Sequence, residues 1–209
     1  MTAEEEDLGD LKLFRVPNRV NVSANGLKQV AFLNKDEVKG RFLYTGACDP
    51  YDWIDDLDDP QSAEILLVTK NEEGKGLGIA LPQGQMSLFE SSSRGAQLSG
   101  FTELRDYARG QDVELEIGES SQVFSQCART KEADFDDGSR KWRKMVASIT
   151  NANPHHIYVR LNLAWSGDYD IRFRGKKLRV KNGYQTVEVK IPANSTNEFR
   201  WKLRPIIDE

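Results

Sequence analysis

The chain is poor in the residues that do chemistry. Its 209 residues include two histidines, adjacent at His155 and His156, and two cysteines, Cys48 and Cys127. A Ser-His-Asp set or a zinc site would have to use one of those two histidines. Neighbouring residues of a regular strand face opposite ways, so the pair cannot jointly grip one ion, and after Asn153-Pro154 they read as surface turn residues. No Gly-x-Ser-x-Gly elbow occurs and no Gly-x-x-x-x-Gly-Lys-Ser/Thr loop. Lys75-Gly76-Leu77-Gly78 is glycine-rich, but no helix follows to present backbone N–H groups, so it reads as a tight turn. No apolar run exceeds four residues, far short of the roughly 18 of a membrane helix, and Ile65-Leu66-Leu67-Val68 reads as a buried strand. The opening Met1-Thr2-Ala3-Glu4-Glu5-Glu6-Asp7 is the opposite of a basic-then-apolar signal peptide, which fits a cytosolic chain or a mature or shortened form of an exported one. Two thiols 79 positions apart make neither a disulfide framework nor a metal spacing. Free thiols, buried or half-exposed, are the expectation, with a Cys48–Cys127 bridge as the alternative.

What the chain does have is period-two alternation cut by turns. Asp112-Val113-Glu114-Leu115-Glu116-Ile117 is one instance, and His156-Ile157-Tyr158-Val159-Arg160-Leu161-Asn162-Leu163 another. Such alternation marks strands with one buried and one wet face. Strands are expected at 11–16, 19–23, 27–33, 38–45, 64–70, 85–90, 97–104, 112–117 and 121–131, with one helical turn within 104–109. Beyond Lys141 further strands follow at short intervals, and Asn182-Gly183 is the strongest hairpin signal. The fold expected is all-β, with two antiparallel sandwich units: an acidic tail at 1–10, an acidic sandwich at 11–133, and a basic, immunoglobulin-like meander or Greek-key sandwich at 139–209. The inward face of the second unit should hold Ile157, Val159, Leu161, Leu163, Ile171, Phe173, Val187, Val189, Ile191, Phe199, Trp201 and Leu203.

Charge is unevenly divided. Residues 139–209 hold 15 Lys and Arg against 6 Asp and Glu, a balance of +9; residues 1–138 hold 14 against 27, a balance of −13, and together they make the −4 of the whole chain. Alternation pushes Arg160, Arg172, Arg174, Arg179, Lys181, Lys190, Arg200 and Lys202 outward, as an interaction surface for a protein partner or the chain's own acidic part. Nucleic acid is not the expected partner, because the aromatics of this unit point inward while the cations point outward. Within the acidic loop 48–60, Asp55, Asp56, Asp58 and Asp59 are the candidate metal ligands, with calcium the ion that clustered aspartates suit. The EF-hand pattern fails there at Pro60, so a solvated acidic loop is the plainer reading and no cofactor is expected. Tyr51 and Trp53 in the same loop are candidate sugar-stacking side chains, against the commoner role of plugging a sandwich edge. Paired carboxylates for hydrolysis are possible in so acidic a part, but nothing singles out a pair and no catalytic residue is assigned.

Three segments carry a resemblance. Ile65-Leu66-Leu67-Val68-Thr69-Lys70-Asn71, the turn Gly76-Leu77-Gly78, and Leu81-Pro82-Gln83-Gly84-Gln85-Met86-Ser87-Leu88-Phe89 are similar to the C-terminal domain of mucoidy-inhibitor-A-like bacterial proteins, a family of unknown function. Val113-Glu114-Leu115-Glu116-Ile117-Gly118 and Ile149-Thr150-Asn151 match its later strand and the opening of its last sandwich. Gly100-Phe101-Thr102-Glu103 departs from it, since the family tends to have an acidic pair after that glycine. The resemblance spans about Pro17 to Arg204. It implies a periplasmic or cell-envelope setting, a fragment or short variant, and no catalytic residues. The function expected is therefore a non-enzymatic structural or interaction module, with a carbohydrate-binding module or a hydrolase as alternatives.

Overall fold

The computed structural model describes residues 4–9, 11–15, 19–31, 33–52, 60–130 and 141–206. The fold is all-β, as the alternation requires. Among the described residues thirteen strands form it: β1 (Glu4–Leu8), β2 (Leu11–Arg15), β3 (Arg41–Ala47), β4 (Gln61–Lys70), β5 (Gly84–Ser92), β6 (Gly95–Leu104), β7 (Asp112–Arg129), β8 (Arg143–Asn151), β9 (Ile157–Trp165), β10 (Tyr169–Arg172), β11 (Arg179–Lys181), β12 (Tyr184–Ile191) and β13 (Ser195–Pro205). Nine of them make one sheet in the order β10-β13-β8-β7-β4-β3-β9-β12-β11, and β1-β2 and β5-β6 are separate two-stranded ribbons. The chain divides into two compact units, one of 1–41 with 68–115 and one of 42–67 with 116–209. That division differs from the single cut between 133 and 139 expected from composition, and residues 131–140 lie outside the described part.

The second unit holds nearly all of the nine-stranded sheet. β12 pairs with β9 and also touches β13 and β8, so the sheet folds back on itself and seals a core between its layers. The face named from alternation fills that core. Ile157, Val159, Leu161, Leu163, Val187, Val189, Ile191, Trp201 and Leu203 are buried, and Ile171, Phe173 and Phe199 pack half-buried against them. Met145, Ala147 and Ile149 of β8 complete it. Each large aliphatic side chain fully buried here contributes about 1.5–3 kcal/mol before chain entropy is subtracted. The Asn182-Gly183 turn forms as expected: both residues are left-handed, with φ 51° and 85°, and reverse the chain between β11 and β12.

Several expectations are corrected. Cys48 and Cys127 are not free thiols; they form a disulfide with their Cα atoms 5.1 Å apart. β3 runs parallel to β9, Tyr44 opposite Val159, so the sheet is mixed and not purely antiparallel. The described residues of 19–23 and 27–33 form no strand; the Ser23 carbonyl instead accepts the N–H of Gly26 in a turn. The strands expected at 112–117 and 121–131 are one long strand, β7, which passes through Gly118 at φ 134°. Ile65-Leu66-Leu67-Val68 is half-buried rather than sealed. Residues 104–109 hold no helical turn; Tyr107 instead bridges to Leu81.

The first unit is organised around Asn71. Its Nδ2 donates to the carbonyls of Ile79 (2.6 Å) and Ala108 (2.9 Å), and its Oδ1 accepts from the N–H of Gly78 (3.0 Å) and of Ile79 (3.3 Å). Leu77, Ala80, Leu81, Tyr107, Val113 and Leu115 are the buried apolar residues of this unit.

A cationic groove with an apolar floor

The groove is made where β10 leaves β13. Alternation on β13 turns Phe199, Trp201 and Leu203 inward on one side and leaves Arg200 and Lys202 outside. β10 pairs with only the last part of β13, from Arg172 opposite Lys202 to Tyr169 opposite Pro205. The chain then turns away at Arg174-Gly175, with Gly175 at φ 71°, and goes on to β11 at the far end of the sheet order. A side chain other than glycine would be strained at that φ. An open groove of about 800 Å³ results. Its floor is Met145, Ile171, Phe173, Leu178 and Trp201, and its rim carries Lys144, Arg172, Arg174, Lys176, Arg200 and Lys202. The rings of Phe173 and Trp201 stack with centroids 5.6 Å apart. The Trp201 indole N–H is buried with no acceptor among the described residues, an arrangement that costs about 1–3 kcal/mol.

Part of the rim's positive charge is already engaged. Arg200 pairs with Glu198 at 3.0 Å on the open surface. The Arg172 guanidinium lies 4.1 Å over the Trp142 ring and Arg204 4.8 Å from it, while Arg204 also pairs with Asp170 at 2.6 Å. Cation–π contact of this kind fixes where Arg172 sits without neutralising it.

Four of the eight cations expected to form an interaction surface thus meet here: Arg172, Arg174, Arg200 and Lys202. The other four do not. Arg160 lies on β9 opposite Glu188, Lys190 on β12 opposite Tyr158, Arg179 on β11 opposite Thr186, and Lys181 opposite Tyr184. Sequence reasoning missed Lys144 and Lys176 on the rim. The signal for Lys144 was its place between Arg143 and the inward Met145; Lys176, just after a turn glycine, gave none.

The remaining candidates lie elsewhere. Asp55, Asp56, Asp58, Asp59 and Trp53 are outside the described residues. Among the described residues, no three His, Cys, Asp or Glu side chains gather as a metal site. Tyr51 is tethered at several points: its N–H donates to Asp49 Oδ1 (2.8 Å), its carbonyl accepts from the buried Arg129 (2.7 Å), and its hydroxyl meets that of Tyr169. Its ring is nonetheless exposed. Neither histidine side chain bonds a serine or a carboxylate among the described residues; His156 packs edge-on against Tyr158. A second cavity of about 260 Å³, beside Cys127, contains Asp52 and Glu64, and Glu64 accepts the Thr45 hydroxyl at 2.9 Å.

Burial, followed by the hydrogen bond with Tyr51, pushes the Tyr169 hydroxyl up to about 12 from its ordinary 10.0. Below pH 10 folded and unfolded chains both keep this proton, so stability does not change. Above it the unfolded chain ionises first, and the contribution is lost as pH climbs through the folded value. A loss of about 2 kcal/mol between pH 10 and 12 is expected, from about 1.36 kcal/mol per unit. Urea midpoints across that range should fall more steeply for the native chain than for Tyr169→Phe; parallel slopes would remove Tyr169 as the cause.

No family model matches the chain, nor does any curated protein or solved structure. No helix among the described residues is long and apolar enough to cross a membrane.

Proposed function

We propose that the chain is a non-enzymatic interaction module whose second unit captures an acidic polypeptide in the groove beside β13. The observation that carries this reading is the pairing of a stacked Phe173–Trp201 floor with a rim of six cations, among them Arg174, Lys176 and Lys202. Exposed ion pairs contribute only about 0.2–1 kcal/mol each, so the rim selects and steers while the floor anchors. A place in the bacterial envelope belongs to the same proposal. The Cys48–Cys127 disulfide supports it, since such bonds persist in oxidising compartments, as does the resemblance to mucoidy-inhibitor-A-like C-terminal domains. An immunoglobulin-like character for the second unit is likewise proposed, supported by the sheet folded over a core that includes the disulfide.

The test is charge reversal on the rim. Arg174→Glu, Lys176→Glu and Lys202→Glu together should weaken binding to immobilised polyglutamate at least tenfold, about 1.4 kcal/mol, while leaving the melting temperature within a degree or two. Binding by the native chain should fall as salt rises. Equal retention of both proteins would remove the groove from consideration, and tighter binding to duplex DNA than to polyglutamate would make the partner a nucleic acid.

A further inference from the structure

We infer that the partner binds as an added β-strand, along the edge of β13 that β10 leaves bare, and that it is an extended segment alternating apolar and acidic residues. This rests on the groove being a site for acidic polypeptides and specifies how that polypeptide is held.

The edge is the first observation. β8 covers one side of β13 from Ser195 to Leu203, whereas β10 covers the other side only from Lys202 to Pro205. Among the described residues, no strand pairs with the second edge of 195–201. Every other residue of that stretch turns its N–H and C=O outward, and such groups are a template for another strand. At about 3.3 Å per residue the bare stretch is roughly 23 Å long, room for six or seven residues of a partner.

The groove is the second observation, and it adjoins that edge. Its walls are β13 at Arg200–Lys202 and the segment from Ile171 to Leu178 that departs from it. A strand laid there sends alternate side chains to opposite faces. One set meets Phe173, Trp201 and Leu178; the other meets Arg174, Lys176 and Lys202. Arg174, Lys176 and Lys202 have no ion pair among the described residues, so charge complementarity favours carboxylates at those alternate positions. Main-chain pairing then supplies affinity and the two rows of side chains supply selection.

The experiment uses the full chain and a synthetic heptapeptide, Glu-Val-Asp-Ile-Glu-Val-Asp, capped at both ends. Its companions are the same peptide with alternate backbone nitrogens methylated, in both registers, and a block peptide of the same composition with apolar and acidic residues segregated. The parent should bind with an affinity that falls as salt rises, and should slow amide exchange within 196–201. At least one methylated register and the block peptide should bind tenfold or more weakly, and Arg174→Glu should weaken the parent similarly. If methylated and block peptides bind as well as the parent, strand addition is wrong while the acidic-partner reading stands. If no acidic peptide binds and polyglutamate is not retained either, both fall.

Discussion

Cys48→Ala with Cys127→Ala is expected to destabilise the chain by about 4.5 kcal/mol. The two cysteines are 79 positions apart, and closing a loop of that length removes that much chain entropy from the unfolded state in the usual treatment. Both are buried in the core of the second unit, so alanine leaves a modest cavity and no unpaired polar atom. A typical domain has about 5–15 kcal/mol in total, so the variant should sit near the limit of folding at 37 °C. Urea or guanidinium denaturation of the variant, and of the native chain in excess dithiothreitol, should give the same lowered midpoint. The slope should rise as well, because the unfolded chain is no longer held compact. A midpoint unchanged after both thiols are shown to be free would mean that the bond is an ornament of the fold. The same measurement bears on compartment: a chain this dependent on its disulfide folds poorly where thioredoxin and glutathione keep thiols reduced.

That bond shows where sequence reading stops. Cys48 follows β3 and Cys127 lies near the end of β7, and only the pairing of distant strands brings them within 5.1 Å. Local patterns carry no such information. They do carry faces: the inward rows of β9, β12 and β13 follow from period two alone, because a strand has only two sides and one is sealed. The same rule misleads over 19–33. Val20, Val22, Leu27 and Val30 give the segment the look of strand, yet Val22 and Leu27 are 55% and 97% exposed and none of its described residues lies in a strand. Alternation records a capacity for pairing, not a partner. The groove was half legible for a related reason. Arg172, Arg174, Arg200 and Lys202 had to face outward, but their convergence depends on the register that sets Arg172 opposite Lys202 and on the turn at Gly175. The separation of Arg160, Arg179, Lys181 and Lys190 from them depends on the order of strands across the sheet, which turn lengths do not encode.

Asn151→Ala is the other substitution with a large expected effect, about 4 kcal/mol. Asn151 is fully buried at the end of β8. Its Nδ2 donates to the carbonyls of His155 (2.9 Å) and Pro192 (2.7 Å), and its Oδ1 accepts from the N–H of Asn153 (3.0 Å) and from Asn153 Nδ2 (3.0 Å). One side chain thus ties the turn before β9 to the turn between β12 and β13. Alanine would leave two carbonyls and an N–H in search of partners, at about 1–3 kcal/mol each for those that water cannot reach. Asn151→Asp separates hydrogen bonding from mere shape. It keeps the size and the accepting oxygen but points a second acceptor at two carbonyls. The aspartate variant should therefore be nearly as unstable as the alanine one at pH 7. It should regain stability relative to the native chain as pH falls and the carboxyl gains a proton to donate. An alanine variant within 1 kcal/mol of the native chain, or an aspartate variant indifferent to pH, would show that these turns hold without the amide. Both loops would then owe their conformation to the strands on either side of them.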